Sequence, residues 1–143
     1  MAQTLTFTSA PFFQVTQFTS AGATAASTIL TSDGTNARRI YSISVWTDES
    51  AAAKDVSVHL VDSGSTVYEL TTISIPLSSG NTNAIVPVDI LTHTQMAPFV
   101  KQRDASGAPY LNIPSGYSLK LNYNTALASG KLANVVVSGE TYA

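Results

Sequence analysis

The sequence contains no cysteine, and this absence excludes three kinds of chemistry at once. Without thiols the chain can form no disulfide bridge, no thiolate metal site and no cysteine nucleophile. A chain of 143 residues does not need bridges, because a domain of this length removes about 70% of its unfolded surface from water. We therefore expect one domain with an ordinary hydrophobic core.

Charge is also scarce. Charged residues make up 11% of the chain, against about 25% in an average soluble domain, and the net charge is −2. Nucleic-acid binding needs a basic stripe, whereas the seven Lys and Arg are scattered from Arg38 to Lys131. No hydrophobic run approaches the roughly 20 residues of a membrane-spanning helix, and the first residues lack a secretory signal pattern. The sequence thus predicts no nucleic-acid partner, no membrane partner and synthesis in the cytoplasm.

Hydroxyl side chains take the place of charge. Serine and threonine form roughly a quarter of the chain, and hydrophobic residues form 44%, which is too hydrophobic for a disordered segment. A surface made polar by hydroxyls suits protein contact, because burying a hydroxyl costs less than burying a charge. The same composition also arises in any β-rich chain, since these residues fit strands and turns. Composition leaves both interpretations open.

Hydrophobic residues alternate with polar ones along most of the chain, which is typical of β-strands. The long predicted strands contain Tyr41–Val45, Val56–Leu60, Val67–Ile75, Val86–Ile90, Leu119–Tyr123 and Val135–Val137, and shorter candidates are Leu5–Thr8, Phe12–Phe18, Ser27–Leu30 and Tyr110–Ile113. Turn signals separate these runs, and helix is confined to a turn at Ala51–Lys54 or Asp89–Gln95.

Eight or more short strands in one domain predict two packed antiparallel sheets, an all-β sandwich of jelly-roll or Greek-key type. Residues 25–143 are assigned to this sandwich domain. Residues 1–24 are uncharged and carry Phe7, Phe12, Phe13 and Phe18. They form either an extended N-terminal arm or the first strands of the sandwich.

Few residues of the sequence suit catalysis. The two histidines, His59 and His93, belong to no spaced metal motif, and no Gly-x-Ser-x-Gly elbow is present. Asp48, Glu49 and Asp55 flank one loop and could gather calcium, although acids in turns more often accept hydrogen bonds from backbone amides. We predict no enzyme activity, no catalytic residue, no metal site and no cofactor.

Trp46 is the sole tryptophan. Together with Tyr41 and Tyr117 it could stack on a sugar ring, which would make the chain a carbohydrate-binding β-sandwich module. A tryptophan at the end of a strand is more commonly a core or interface residue. Both interpretations remain open at the level of sequence.

The order of segments over residues 37–142 resembles small β-rich virion proteins of tailed bacteriophages, the kind that decorate or cement the capsid. The segments that carry the resemblance are Arg39-Ile40, Trp46-Thr47-Asp48-Glu49-Ser50-Ala51, the Val56–Asp62 strand, Tyr68-Glu69-Leu70, Ile73–Leu77, Ser79-Gly80, Val88-Asp89-Ile90-Leu91, Pro109-Tyr110-Leu111, Ile113-Pro114-Ser115-Gly116-Tyr117-Ser118-Leu119, Thr125-Ala126-Leu127-Ala128-Ser129-Gly130 and Gly139-Glu140-Thr141-Tyr142. These motifs are structural and not catalytic.

The resemblance implies a non-enzymatic protein of the virion that binds the outer surface of the shell. Its partner would be the major capsid protein, and it would form a homo-oligomer, with a trimer favoured. Phe12, Phe13 and Phe18 would anchor the N-terminal arm, and Trp46 is a second candidate for the interface. A head-fibre base or a tail adhesin domain of a phage is the alternative within the same class.

Overall fold

The computed structural model describes residues 9–142, most of which lie in strands or in the turns between them. The strands are β1 (Ser9–Thr19), β2 (Ser27–Leu30), β3 (Ala37–Thr47), β4 (Lys54–Val61), β5 (Val67–Ile75), β6 (Val88–Asp89), β7 (Gln102–Arg103), β8 (Pro109–Ile113), β9 (Ser118–Tyr123) and β10 (Leu132–Tyr142). Two short 3-10 helices, Ile90–Thr92 and Thr94–Phe99, lie between β6 and β7. Within residues 9–142, no helix is long and apolar enough to span a membrane.

The strands form two antiparallel sheets. The larger sheet has the order β1-β10-β3-β8-β7, with β6 also paired to β3, and the smaller sheet has the order β2-β9-β4-β5. Four pairs are nested in sequence, because β1 pairs with β10, β2 with β9, β3 with β8 and β4 with β5. This nesting is the topology of a jelly roll, in which strands paired like a long hairpin wrap into two packed sheets. The predicted all-β sandwich is confirmed.

The core lies between the sheets and is mostly aliphatic. Its fully buried members include, from the larger sheet, Ile43, Val45, Val135 and Val137, and from the smaller sheet, Val56, Val58, Leu119 and Leu121. Burying one such side chain stabilises the fold by about 1.5–3 kcal/mol relative to leaving it in water. Alternate residues on the same strands point outward, as the period of two requires.

Two predicted segments differ from the structure. The strand predicted over Val86–Ile90 is reduced to Val88–Asp89, and the chain then turns through both 3-10 helices. In β5, Ile73 is buried whereas Val67 is 51% exposed, although strict alternation along the predicted strand Val67–Ile75 puts both on one face. The reason is a register shift against β4 that leaves Leu70 without a partner and changes the side on which later residues fall.

The segment preceding residue 25 contributes a strand to the sandwich. Residues 9–19 form β1, which pairs with β10 in an unbroken register from Ser9↔Tyr142 to Thr19↔Leu132. This is the arrangement expected if the segment supplies a first strand and not a detached arm. The predicted strand Leu5–Thr8 lies outside the described residues.

Candidate interaction surface

The outer face of the larger sheet carries a block of uncharged side chains on β1, β10 and β3. The strand register aligns them in three rows, which are Phe13–Ser138–Ser42, Val15–Val136–Ser44 and Gln17–Asn134–Trp46. The first ionic pair of this face comes in the next row, where Arg39 Nη1 lies 3.7 Å from Glu140 Oε1. We call these nine residues the neutral face.

Two large apolar side chains of the neutral face are open to solvent. Phe13 is 77% exposed and Val15 is 64% exposed. They lie next to each other on the same side of β1, because alternate residues of a strand share a face. Beside them, Gln17 Nε2 donates a hydrogen bond to Asn134 Oδ1 at 3.1 Å, so the polar groups of the third row are partly paired. Adjacent exposed apolar side chains mark a surface that gains free energy when a partner covers it.

The four residues predicted to anchor a partner lie in different environments. Phe13 is on the open surface, whereas Phe18 is only 2% exposed and packs edge-on against Tyr123 at a ring separation of 6.0 Å. Phe12 is half-buried, and the Arg38 guanidinium lies 5.5 Å from its ring. Because Phe18 belongs to the subunit's own core, we leave it out of the proposed interface.

Trp46 lies on the neutral face but is half-covered by its own chain. A Cβ placed on Gly80 would come within 2.8 Å of Trp46 Cδ1, so the indole rests directly against this glycine. Gly80 has a φ of +78°, which a residue with a side chain rarely adopts. The exposed part of Trp46 closes the third row of the neutral face.

A stacked arginine closes one end of the neutral face. The Arg39 guanidinium lies between the rings of Tyr110 and Tyr142, at 4.8 and 4.6 Å from their centroids. Such cation–π contacts hold the long side chain in one place. Glu140 completes the group through its ion pair with Arg39.

Tyr41 lies beside this arginine and joins two carboxylates. Its hydroxyl is 2.9 Å from Asp104 Oδ2 and 2.9 Å from Glu140 Oε1. Burial, together with the hydrogen bonds to these two carboxylates, raises the pKa of Tyr41 to about 12. The phenol therefore remains a neutral donor throughout the physiological range and ties the turn at Asp104 to the sheet.

Tyr41 reaches this position because β3 carries a β-bulge. Ser42 pairs with Ser138 and Ile40 pairs with Gly139, so Tyr41 is the extra residue between them. Bulges of this kind re-aim a side chain next to functional surfaces. Nothing in the alternation of Tyr41, Ile43 and Val45 signals the bulge, and sequence reasoning missed it.

Two of the three acids that could gather calcium, Glu49 and Asp48, bind backbone amides, whereas Asp55 is exposed. Glu49 is 1% exposed, and its two carboxylate oxygens accept hydrogen bonds from Ala51 N at 2.8 Å and Ala128 N at 2.6 Å. Asp48 Oδ1 accepts from Leu132 N at 2.7 Å. Across residues 9–142, no three His, Asp or Glu side chains come together as metal ligands would. Glu49 and Asp48 connect the β3–β4 loop to the start of β10.

Replacing Glu49 with glutamine tests this role. Burial alone would raise the pKa of Glu49, but hydrogen bonds from the backbone amides of Ala128 and Ala51 outweigh it and lower the pKa. Glu49→Gln should reduce the free energy of unfolding by about 2 kcal/mol at pH 7, because the amide NH2 group then faces one of the two N–H groups that the carboxylate binds. Urea denaturation of both proteins measures the difference.

The same pair of proteins gives a pH dependence of known sign. A carboxylate whose pKa is lower in the folded chain stabilises the fold above its unfolded pKa of about 4.3, and the contribution disappears as the pH falls through the folded value. The gap between wild type and Glu49→Gln should therefore shrink between pH 6 and pH 3. An equal gap at both pH values would contradict the assignment.

The remaining candidates from the sequence are separate from the neutral face. His59 is half-buried on β4 in the opposite sheet, where its Nε2 lies 2.7 Å from Asn122 Oδ1. Tyr117 packs against the core next to β9, also in the smaller sheet, and so does not join Trp46 and Tyr41 in one aromatic platform. The structure brings together Phe13 and Trp46 on one face and leaves His59 in the opposite sheet.

Comparison of the sequence with protein-family models and with curated proteins found no match.

Proposed function

We propose that this chain is a structural protein of a bacteriophage virion, which binds the major capsid protein and decorates or cements the shell. It has no catalytic role in this proposal, and it acts as a homo-oligomer, for which a trimer is favoured. Support comes from the order of segments described above and from the surface of the larger sheet. The jelly-roll fold itself is neutral on this point, because viral, lectin and enzymatic domains share it.

The observation that carries the proposal is the neutral face with its exposed Phe13 and Val15. An interface core is depleted in charge and enriched in aromatic residues relative to the rest of the surface. The neutral face has this composition, with serine hydroxyls around the apolar pair in place of ions. A rigid sheet presents these side chains without the entropy cost of ordering a loop.

Truncating the apolar pair should weaken capsid binding without unfolding the subunit. We expect Phe13→Ser combined with Val15→Ser to lower the affinity for undecorated capsids at least tenfold, because the exposed apolar contact is lost. Since both side chains are more than 60% exposed, the free energy of unfolding should change by less than about 1 kcal/mol. Co-sedimentation with purified capsids of the encoding phage measures the binding.

The matched control is Val67→Ser on β5, an edge strand of the other sheet. Val67 is 51% exposed, so the substitution removes a similar amount of apolar surface far from the neutral face. This variant should bind capsids as the wild type does. If both variants bind like the wild type, the neutral face is not the capsid-binding surface. If the wild-type protein does not bind capsids, the proposed function is wrong.

A further inference from the structure

The edge of the larger sheet at β1 is hydrogen bonded on one side only. The sheet order ends at β1, whose single strand partner among residues 9–142 is β10. Outside that ladder, the one described backbone hydrogen bond of β1 is from Gly22 N to Thr19 O at 3.1 Å. About half of the main-chain N–H and C=O groups of the strand therefore have no main-chain partner among residues 9–142.

Proteins usually protect such edges with charge, proline, bulges or very short strands. The other edge strands in the described residues follow this rule. Strand β6 has 2 residues, β7 has 2 residues and includes Arg103, β2 has 4 residues, and β5 carries Glu69 beside its register shift. Strand β1 has 11 residues, no charged side chain and no register shift along β10, and its one edge-protecting residue is Pro11, near its start. The eight residues from Phe12 to Thr19 lack any such protection, and a stretch of this length is suited to strand addition.

The inward side chains of β1 are already used within the subunit. Gln14 Oε1 accepts a hydrogen bond from Thr31 N at 2.9 Å, and Thr16 Oγ1 donates to Thr28 O at 3.2 Å. These contacts tie β1 to the end of the smaller sheet. The outer edge of β1 therefore offers main-chain N–H and C=O groups, and the partner that matches their spacing is another extended strand.

We propose that β1 pairs antiparallel with β1 of a second copy, about a twofold axis at Gln14. This register places Phe13 opposite Val15 of the partner subunit, and aromatic residues pair favourably with β-branched ones across strands. A strand without charge meets its own copy without like-charge repulsion, which a charged edge could not do. The three rows of the neutral face then continue across the axis into the second subunit.

The contact is small and belongs at the weak end of protein interfaces. Eleven residues at about 3.4 Å each give a strand about 37 Å long, and pairing along it covers less surface than a standard stable interface. A weak twofold contact becomes effective when both subunits are held on one lattice. That gain rests on the proposed capsid function, whereas the pairing itself does not. A trimer about a threefold axis would use a different surface.

Cysteine cross-linking tests the pairing directly, because the chain has no thiol of its own. We expect a mixture of Phe13→Cys and Val15→Cys proteins to give at least five times more oxidised dimer than either variant alone. In the proposed register these two positions face each other across the axis, at the short distance that a disulfide needs. Non-reducing electrophoresis of the free protein, without capsids, measures the yield.

The control is Ser44→Cys, which lies on the same face two strands away from the edge. It should form no dimer by edge pairing, whereas stacking of two neutral faces would cross-link it. A dominant Ser44→Cys dimer would therefore overturn the proposal in favour of face stacking. Equal yields from the mixture and from the single variants would overturn the register at Gln14.

A charged residue placed on the edge of β1 gives a second test of the pairing. Val15→Lys is introduced into the Phe13→Cys protein, which is then mixed with the Val15→Cys protein. The lysine should abolish the cross-link between them, since lysine protects strand edges. Its side chain points to solvent, so the fold should persist, as circular dichroism can verify. No cross-link in free protein at any concentration overturns the pairing, while capsid co-sedimentation separately decides the proposed function.

Discussion

Replacing Phe18 with alanine is expected to lower the free energy of unfolding by about 4 kcal/mol. The side chain is 2% exposed and fills the space between β1 and the smaller sheet, where its ring meets that of Tyr123 edge-on. Alanine would leave a cavity and remove the aromatic contact. Because a domain of this size is stable by only about 5–15 kcal/mol, the loss should be plain in urea denaturation.

The matched control is Phe13→Ala, five residues earlier on the same strand. Phe13 is 77% exposed, so this truncation should change the free energy of unfolding by less than about 0.5 kcal/mol. The two substitutions should thus have different effects: Phe18→Ala lowers stability, and Phe13→Ala weakens the proposed capsid binding. Equal effects on stability would mean that β1 does not present its faces as described.

Replacing Gly139 with alanine should lower the free energy of unfolding by about 3 kcal/mol. An added Cβ would lie 2.0 Å from the carbonyl oxygen of Arg39 and 3.0 Å from Ile40 Cα. Both atoms belong to the backbone of β3, so relief requires the central pair of the larger sheet to separate at the bulge. Thermal unfolding should occur at a temperature lower by about 10 °C.

Gly34→Ala serves as the control for this substitution. A Cβ at Gly34 meets nothing within 4 Å, and its φ is not positive, so the change should be close to neutral. The variant Gly139→Ala should also shift the Tyr41 hydroxyl away from Asp104 and Glu140, since the bulge aims that side chain. Wild-type stability of Gly139→Ala would show that β10 does not approach β3 as closely as the structure indicates.

The alternation of hydrophobic residues was sufficient to predict most of the sandwich. Strands such as β4 and β9 pack one face on the core, so their period of two is visible in the sequence. The helix at Thr94–Phe99 was not predicted in full, because its six residues are too few to show a helical period and include Pro98. Pairing between distant strands, such as β1 with β10, leaves no local signal at all.

The neutral face could be predicted only in part. In β1, both faces hold phenylalanine, so alternation cannot tell whether Phe13 or Phe18 points to the core. That choice depends on contacts with Tyr123, which is more than 100 residues away in sequence. The stacking of Arg39 between Tyr110 and Tyr142 likewise depends on three separate strands.

The place of β10 in the larger sheet has a consequence for the order of synthesis. Strand β10 is synthesised after the other nine strands, yet it lies between β1 and β3, and Gln17 bonds to Asn134, which comes 117 positions later in the sequence. Until Leu132–Tyr142 is available, both neighbours lack the strand that joins them. Until β10 has been synthesised, a nascent chain therefore exposes two long unpaired strand edges, which favours aggregation at that stage.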